Sequence, residues 1–230
     1  VNMGGTIKRI GNNAFENCTS LASIENSNSV TMIDNSAFYM CKSLSQISIP
    51  SSVISIGDFA FEGCTSFTNI ELPSSVKTIG KYAFYECEGL STISIPTSVT
   101  SIGNAAFAHC YSLTSIELPS SITIIGNSTF EKCTNLSQIS IPTSVTSIGN
   151  SAFENCTSLA NIELPTSITA IGNSAFKGCT VLSGISVPNS VTSIGDNAFE
   201  NCTSLVNIEL PNSITTIGNS SFKECTVLSR

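Results

Sequence analysis

Apolar positions recur along this chain in one fixed order with a spacing of 23 residues. One unit, Val53 to Ser75, sets apolar side chains at Val53, Ile56, Phe61, Cys64, Phe67, Ile70 and Leu72, with Gly57 and Pro73 as punctuation. The template restarts at Val76, Val99, Ile122, Val145, Ile168, Val191 and Ile214, and in poorer form at Ile7 and Val30, without insertion or deletion. One such unit cannot cover its own apolar side chains, whereas stacked units bury them against neighbours above and below; the pattern predicts a solenoid spanning residues 1–230 as a single array.

Within each unit the period changes. Leu44-Ser-Gln-Ile47-Ser-Ile49 ends in alternation, the pattern of a strand with one face inward, and its copies are expected to pair in parallel as one uninterrupted sheet. Val53-Ile-Ser-Ile56 predicts a second short strand on another side of the coil. The glycine column that ends it, Gly11 and then Gly57 to Gly218, fits either positive φ or close approach of backbone; Asp34 holds its one exception, a residue type that tolerates the left-handed region. The proline column, Pro50 to Pro211, follows the first strand and limits its length. Ala-Phe-Glu-Asn-Cys and its variants are too short for more than a helical turn, and their phenylalanines, Phe15 to Phe222, are expected to form a ladder inside the coil. At about 4.8 Å per coil the ten copies make a rod of roughly 50 Å.

Composition agrees with a folded chain: 41% of residues are hydrophobic and the mean hydropathy is +0.26. A net charge of -7 with a pI near 4.6 disfavours nucleic acid as a partner and favours a basic or neutral one. No apolar run is long enough to cross a membrane as a helix. The 10 cysteines, Cys18 to Cys225, stand 23 residues apart, so one structural position is used repeatedly. They read as buried free thiols. Disulfides between neighbouring coils are the rival reading, opposed by side chains that point the same way. A metal site has no support, since no two cysteines stand two residues apart and His109 is the lone histidine.

Leu90-Ser-Thr-Ile93-Ser-Ile95-Pro96 followed by Ser98-Val99-Thr-Ser-Ile102-Gly103-Asn-Ala-Ala106-Phe107-Ala-His-Cys110 resembles the BspA-like (Treponema pallidum-type) leucine-rich repeat, over essentially the whole chain. The LxxLxL part is common to leucine-rich repeats, and the IGxxAFxxC part marks this subclass. The resemblance implies a mostly β leucine-rich-repeat solenoid of ten coils with a concave parallel sheet, a second short strand per coil and little helix. It further implies a cell-surface or secreted adhesion protein that binds host or extracellular protein or glycan through the concave face. Departures at Asn26, Ser27 and Asp34 predict that the first two coils are the least regular, and the absence of a polar capping unit at Val1 or Arg230 suggests a cut from a longer array.

Two outward columns on the first strand are the candidate binding face. One alternates without exception: Glu25, Ser48, Glu71, Ser94, Glu117, Ser140, Glu163, Ser186, Glu209, with Asn2 before it. The other is small and polar: Gln46, Asn69, Thr92, Ser115, Gln138, Asn161, Gly184 and Asn207. The alternation reads either as an acidic track for a basic partner or as the relic of a duplicated pair of coils that spaces like charges; residues 139–184 and 185–230 are closely alike. Catalysis finds no purchase. His109 beside Cys110 is not a dyad, carboxylates about 10 Å apart on a solvated sheet lack a pocket, and no phosphate-binding loop or basic patch is present. No cofactor is implied. Coils 3 to 5 break the consensus with Phe59, Lys77, Lys81, Tyr82, Tyr85, His109 and Tyr111, either surface drift or specific recognition. Asn17, Asn127, Asn135, Asn155, Asn201 and Asn219 open Asn-x-Ser/Thr triplets, glycan acceptors in a eukaryotic secretory route. The competing functions are a surface recognition module, a structural spacer or coat, and an intracellular scaffold suited to free thiols.

Overall fold

The computed structural model describes residues 1–25 and 28–229; Asn26, Ser27 and Arg230, singled out above, lie outside the described residues. The chain is a parallel β-solenoid whose coils have three sides, and no helix occurs among the described residues. The first side carries the predicted strands Ser23–Ile24, Gln46–Ile47, Asn69–Glu71, Thr92–Ser94, Ser115–Glu117, Gln138–Ser140, Gly184–Ser186 and Asn207–Glu209. The second carries the short strands that precede the glycine column, from Arg9–Ile10 to Thr216–Ile217. Registers step by one repeat throughout, as in Ile70↔Ile93 and Ile148↔Ile171.

The two strand sides differ from expectation in continuity. The first side is not one uninterrupted sheet but a set of two-stranded pieces. Each strand has only two or three residues, and the proline shortly after it withholds a donor, so little is available to hold the ladder from one pair to the next. The second side is the continuous one, in two five-stranded sheets. The third side, the Ala-Phe-x-x-Cys segment, is a succession of turns that also forms a ladder, with Phe38 N–H donating to Ala60 O at 2.8 Å and Met40 N–H to Glu62 O at 2.7 Å. Its donors point toward the following coil. At the positions flanking the second-side strands they point back, as in Gly80 N–H to Ile56 O at 2.9 Å.

Side chains from all three sides meet in one core. Interior phenylalanines of the ladder are fully buried, and their rings stack near-parallel with centroids 5.2 to 5.5 Å apart at most junctions. Cys41 to Cys202 are buried beside them, and each Sγ donates to the carbonyl of a phenylalanine in the preceding coil, as Cys87 does to Phe61 O at 3.1 Å. All ten cysteines are free; Cys18 is exposed and Cys225 half-buried, because each lies in an outermost coil without a neighbour to cover it.

The glycine column answers its own question. None of its members has positive φ. A Cβ on Gly80 would sit 2.5 Å from the backbone carbon of Gly57, so close approach between coils is what excludes a side chain. Positive φ falls instead on two other columns, two residues after the glycine (Ser36, Phe59, Tyr82, Ser128) and just before the cysteine (Asn17, Glu86, His109, Lys132). Asp34 is therefore not a left-handed residue either; it is buried, and its carboxylate is paired with Arg9.

One junction is looser than the rest. Between Ser101–Ile102 and Ile124–Ile125 the second side is interrupted. The bonds that Gly103 N–H and Gly149 N–H make to Ile79 O and Ile125 O, at 2.9 and 2.8 Å, have no counterpart from Gly126 to Ile102. The Phe107–Phe130 centroid distance, 5.8 Å, is the longest in the ladder. Coil 6 carries Thr129 in a column otherwise filled by Ala, with Ser221 the other exception. Its side chain is buried and bonds Gly126 O at 2.9 Å, so the extra atoms are accommodated at this junction.

Candidate functional site

Alternation along the first strand places Ile24, Ile70, Ile93 and Ile116 in the core and turns their neighbours outward. Every member of the two candidate columns from Glu25 to Glu209 is exposed, apart from the half-buried Gly184. In register, Glu71 stands opposite Ser94, Glu117 opposite Ser140 and Ser186 opposite Glu209, so no glutamate of this track directly faces another. Shallow hollows follow one another along the face. One of about 660 Å³ is lined by Ser115, Glu117, Gln138, Ser140, Asn161 and Glu163, and another of about 500 Å³ by Gln46, Ser48, Asn69 and Glu71. Leu164, Asn207 and Glu209 border a third of about 920 Å³, and Thr92, Ser94 and Ser115 a fourth of about 750 Å³.

Chemically this face offers carboxylates, amides and hydroxyls at regular intervals, suited to hydrogen-bonding an extended ligand, with isoleucines at the floor of the hollows and no aromatic anchors among the described residues lining them. Among the described residues there is no group of three His, Cys, Asp or Glu that could hold a metal, and no helix is long and apolar enough to cross a membrane. The buried thiols are raised by desolvation, Cys202 to about 12, so they are weak nucleophiles in the folded chain.

The residues that broke the consensus in coils 3 to 5 divide. Lys77 and Lys81 are exposed and make no ring contact in the structure. The aromatic members do come together, on the turn side of the coil. Phe59 stacks on Tyr82 at 5.0 Å, Tyr82 meets Tyr85 edge-on at 5.5 Å, Tyr85 contacts His109 at 4.9 Å, and His109 contacts Tyr111 at 5.7 Å. His109 Nδ1 and the Tyr111 hydroxyl lie 3.1 Å apart. Burial, then the Lys132 charge, holds the imidazole below its ordinary pKa. Burial and the carboxylates of Glu86, Glu131 and Glu62 push the Tyr85 phenol up to about 12.

Two features of the surface were missed in the sequence. The column after the glycine forms an inter-coil ladder, in which Asn127 N–H donates to Asn104 Oδ1 at 3.0 Å and Asn150 N–H to Asn127 Oδ1 at 2.9 Å. Lys81 lacks the acceptor and interrupts it. An unbroken run of Asn or Asp at that position, except Lys81, was the available signal. The second feature is the set of glutamates around the aromatic residues, legible only once columns are laid side by side.

The BspA type leucine rich repeat region family matches the chain in 6 copies over residues 1–114 and 100–229. Among solved structures, a leucine-rich repeat protein from Bacteroides ovatus ATCC 8483 is 30% identical, with a TM-score of 0.61 over 99% of this chain and 76% of that one. A leucine rich cell surface protein from Faecalibacterium prausnitzii A2-165 is 31% identical, with a TM-score of 0.58 over 100% of this chain and 77% of its own. No curated protein matches the chain. With its period, its glycine and cysteine columns and its stacked phenylalanines in place, the chain belongs to the BspA-type leucine-rich-repeat family.

Proposed function

We propose that this array is a non-catalytic recognition module, displayed at a cell surface or secreted, that engages an extracellular or host-cell protein or glycan through the first strand side. The observation that carries this reading is the exposure of both polar columns along the whole array, with hollows repeating beneath them. Fold alone does not assign a ligand; the surface location rests on the family and on the Faecalibacterium neighbour, whose own description is a cell surface protein. The alternating glutamates favour a basic ligand.

Screening the array against extracellular-matrix proteins and whole cells tests the reading. A retained partner should bind less tightly as salt rises, because exposed charges are screened within about 8 to 10 Å at physiological ionic strength. Exchanging Glu71, Glu117, Glu163 and Glu209 for Gln should slow its association and leave the fold unchanged. If the exchange alters neither rate nor salt dependence, the acidic track is a relic of duplication. If nothing is retained, the uniformity of the face favours a spacer or coat.

A further inference from the structure

A second surface, on the turn side, is built unlike the rest of the array. Phe59, Tyr82, Tyr85, His109 and Tyr111 form a continuous ring-to-ring path that climbs diagonally from coil 3 to coil 5. Phe59, Tyr82 and His109 stand in the two left-handed columns, at φ of 59°, 56° and 61°. Every coil turns left-handed at these two columns; most fill them with Ser, Asn or Gly, and only coils 3 to 5 fill them with aromatic rings.

Beneath the path runs a second diagonal. Glu62, Glu86 and Glu88 occupy the same columns as Tyr85, His109 and Tyr111, each one coil earlier, so three aromatic side chains each follow a carboxylate by a single coil step. In coils 8 to 10 the Glu62 column neutralises itself, since Glu200 is bonded by Lys177 at 2.8 Å and by Lys223 at 3.0 Å. Glu62 has Tyr39 and Tyr85 in those places instead, and its Oε2 is buried without a hydrogen-bond partner. The cation acting most strongly on His109 is Lys132; the other charges acting on it are the carboxylates of Glu131, Glu86 and Glu88.

From this juxtaposition we infer that the turn side of coils 3 to 5 is a docking site for an extended basic peptide segment, whose Arg or Lys side chains lie over the rings and reach the carboxylates one coil below. Ring faces attract cations, guanidinium stacks well on them, and the peptide's cations supply the counter-charge that the Glu62 column lacks. The site is on a different side of the coil from the strand columns, so it stands or falls independently of the function proposed above.

Tyrosine emission reads this site directly, because the chain has no tryptophan and four tyrosines, all in the path or next to Glu62. Titration with hexa-arginine should give a saturable emission change. Phe59→Ser with Tyr82→Ser restores the residue that coils 2 and 6 carry in that column, Ser36 and Ser128, so the double variant should fold, and it should bind at least tenfold more weakly. The triple variant Glu62→Gln, Glu86→Gln, Glu88→Gln should bind more weakly and with a flatter salt dependence. An unchanged affinity in the folded Phe59/Tyr82 variant overturns the proposal, as does the absence of a saturable response to hexa-arginine. A response to a neutral oligosaccharide alone would also overturn it, making the rings a sugar platform.

Discussion

Thr129→Ala should close the loose junction between coils 5 and 6. The hydroxyl of Thr129 occupies Gly126 O at 2.9 Å, and on the second strand side neither Gly126 N–H nor Thr123 N–H reaches the coil before. At the corresponding places Gly149 N–H bonds Ile125 O at 2.8 Å and Thr146 N–H bonds Thr123 O at 2.9 Å. Restoring two such bonds is worth about 1 to 3 kcal/mol net. Loss of the buried γ-methyl costs about 0.8 kcal/mol. The hydroxyl bond itself is replaced by a turn bond like that of Ala106 N–H to Gly103 O at 3.3 Å, so its loss is close to neutral. The balance is a gain of about 1 kcal/mol, or a rise in Tm of about 2 to 4 °C for a chain of this size. Amide exchange locates it, since a repeat array need not unfold as one unit. The amides of Thr123 and Gly126 should slow at least tenfold in the variant and those of distant coils should not change. The reciprocal Ala152→Thr should open the Ile125/Ile148 pairing. Unchanged exchange at Gly126 together with a lower melting temperature would refute the assignment of the junction to Thr129.

Other perturbations read other parts of the fold. Phe153→Ala removes a fully buried ring from a regular stretch of the ladder and should cost about 3 to 5 kcal/mol, seen as loss of exchange protection in coils 6 to 8. A thiol reagent with the native protein should modify Cys18 and, more slowly, Cys225, while the cysteines from Cys41 to Cys202 react only on unfolding; rapid labelling of Cys133 would contradict their burial. Burial, then Glu86, raises the Glu62 carboxyl from 4.5 to about 7. A folded-state pKa above the unfolded value means the native chain holds the proton more tightly, so stability should fall as pH rises through this window, and Glu62→Gln should remove that part of the dependence. Identical melting-temperature profiles for parent and variant between pH 5 and 8 would count against it.

The coil, its period and its buried columns were legible in the sequence because burial repeats with the covalent spacing: Phe107, Cys110 and Leu113 face inward for the same reason that Phe130, Cys133 and Leu136 do. What the period could not convey was how coils differ where they touch. Gly57 reads equally as a left-handed residue or a close approach, and only the backbone of Asp34 and Asn35 against it decides. The residues with positive φ, Ser36 or Asn17, are common in any surface turn. The splitting of the first strand side separates copies that carry the same strand and proline pattern, so the period does not announce it. Thr129 differs from the alanines of its column by two heavy atoms. Sixteen polar residues of the candidate face could be placed outward by alternation alone, whereas the association of Tyr85 with His109 and Glu62 needed the diagonal between coils.

The opposed donor directions of the turn side and the second strand side carry a consequence for how such a gene can change. Each coil presents acceptors to its predecessor on the turn side and donors to it at the positions flanking the second-side strands, with the reverse pattern to its successor. A coil joined in the same orientation and phase therefore meets complementary groups whatever its ordinal place. Unequal crossing-over between copies, when it preserves the reading phase of the repeat, yields stackable products, so copy number can drift while the junction chemistry is inherited intact.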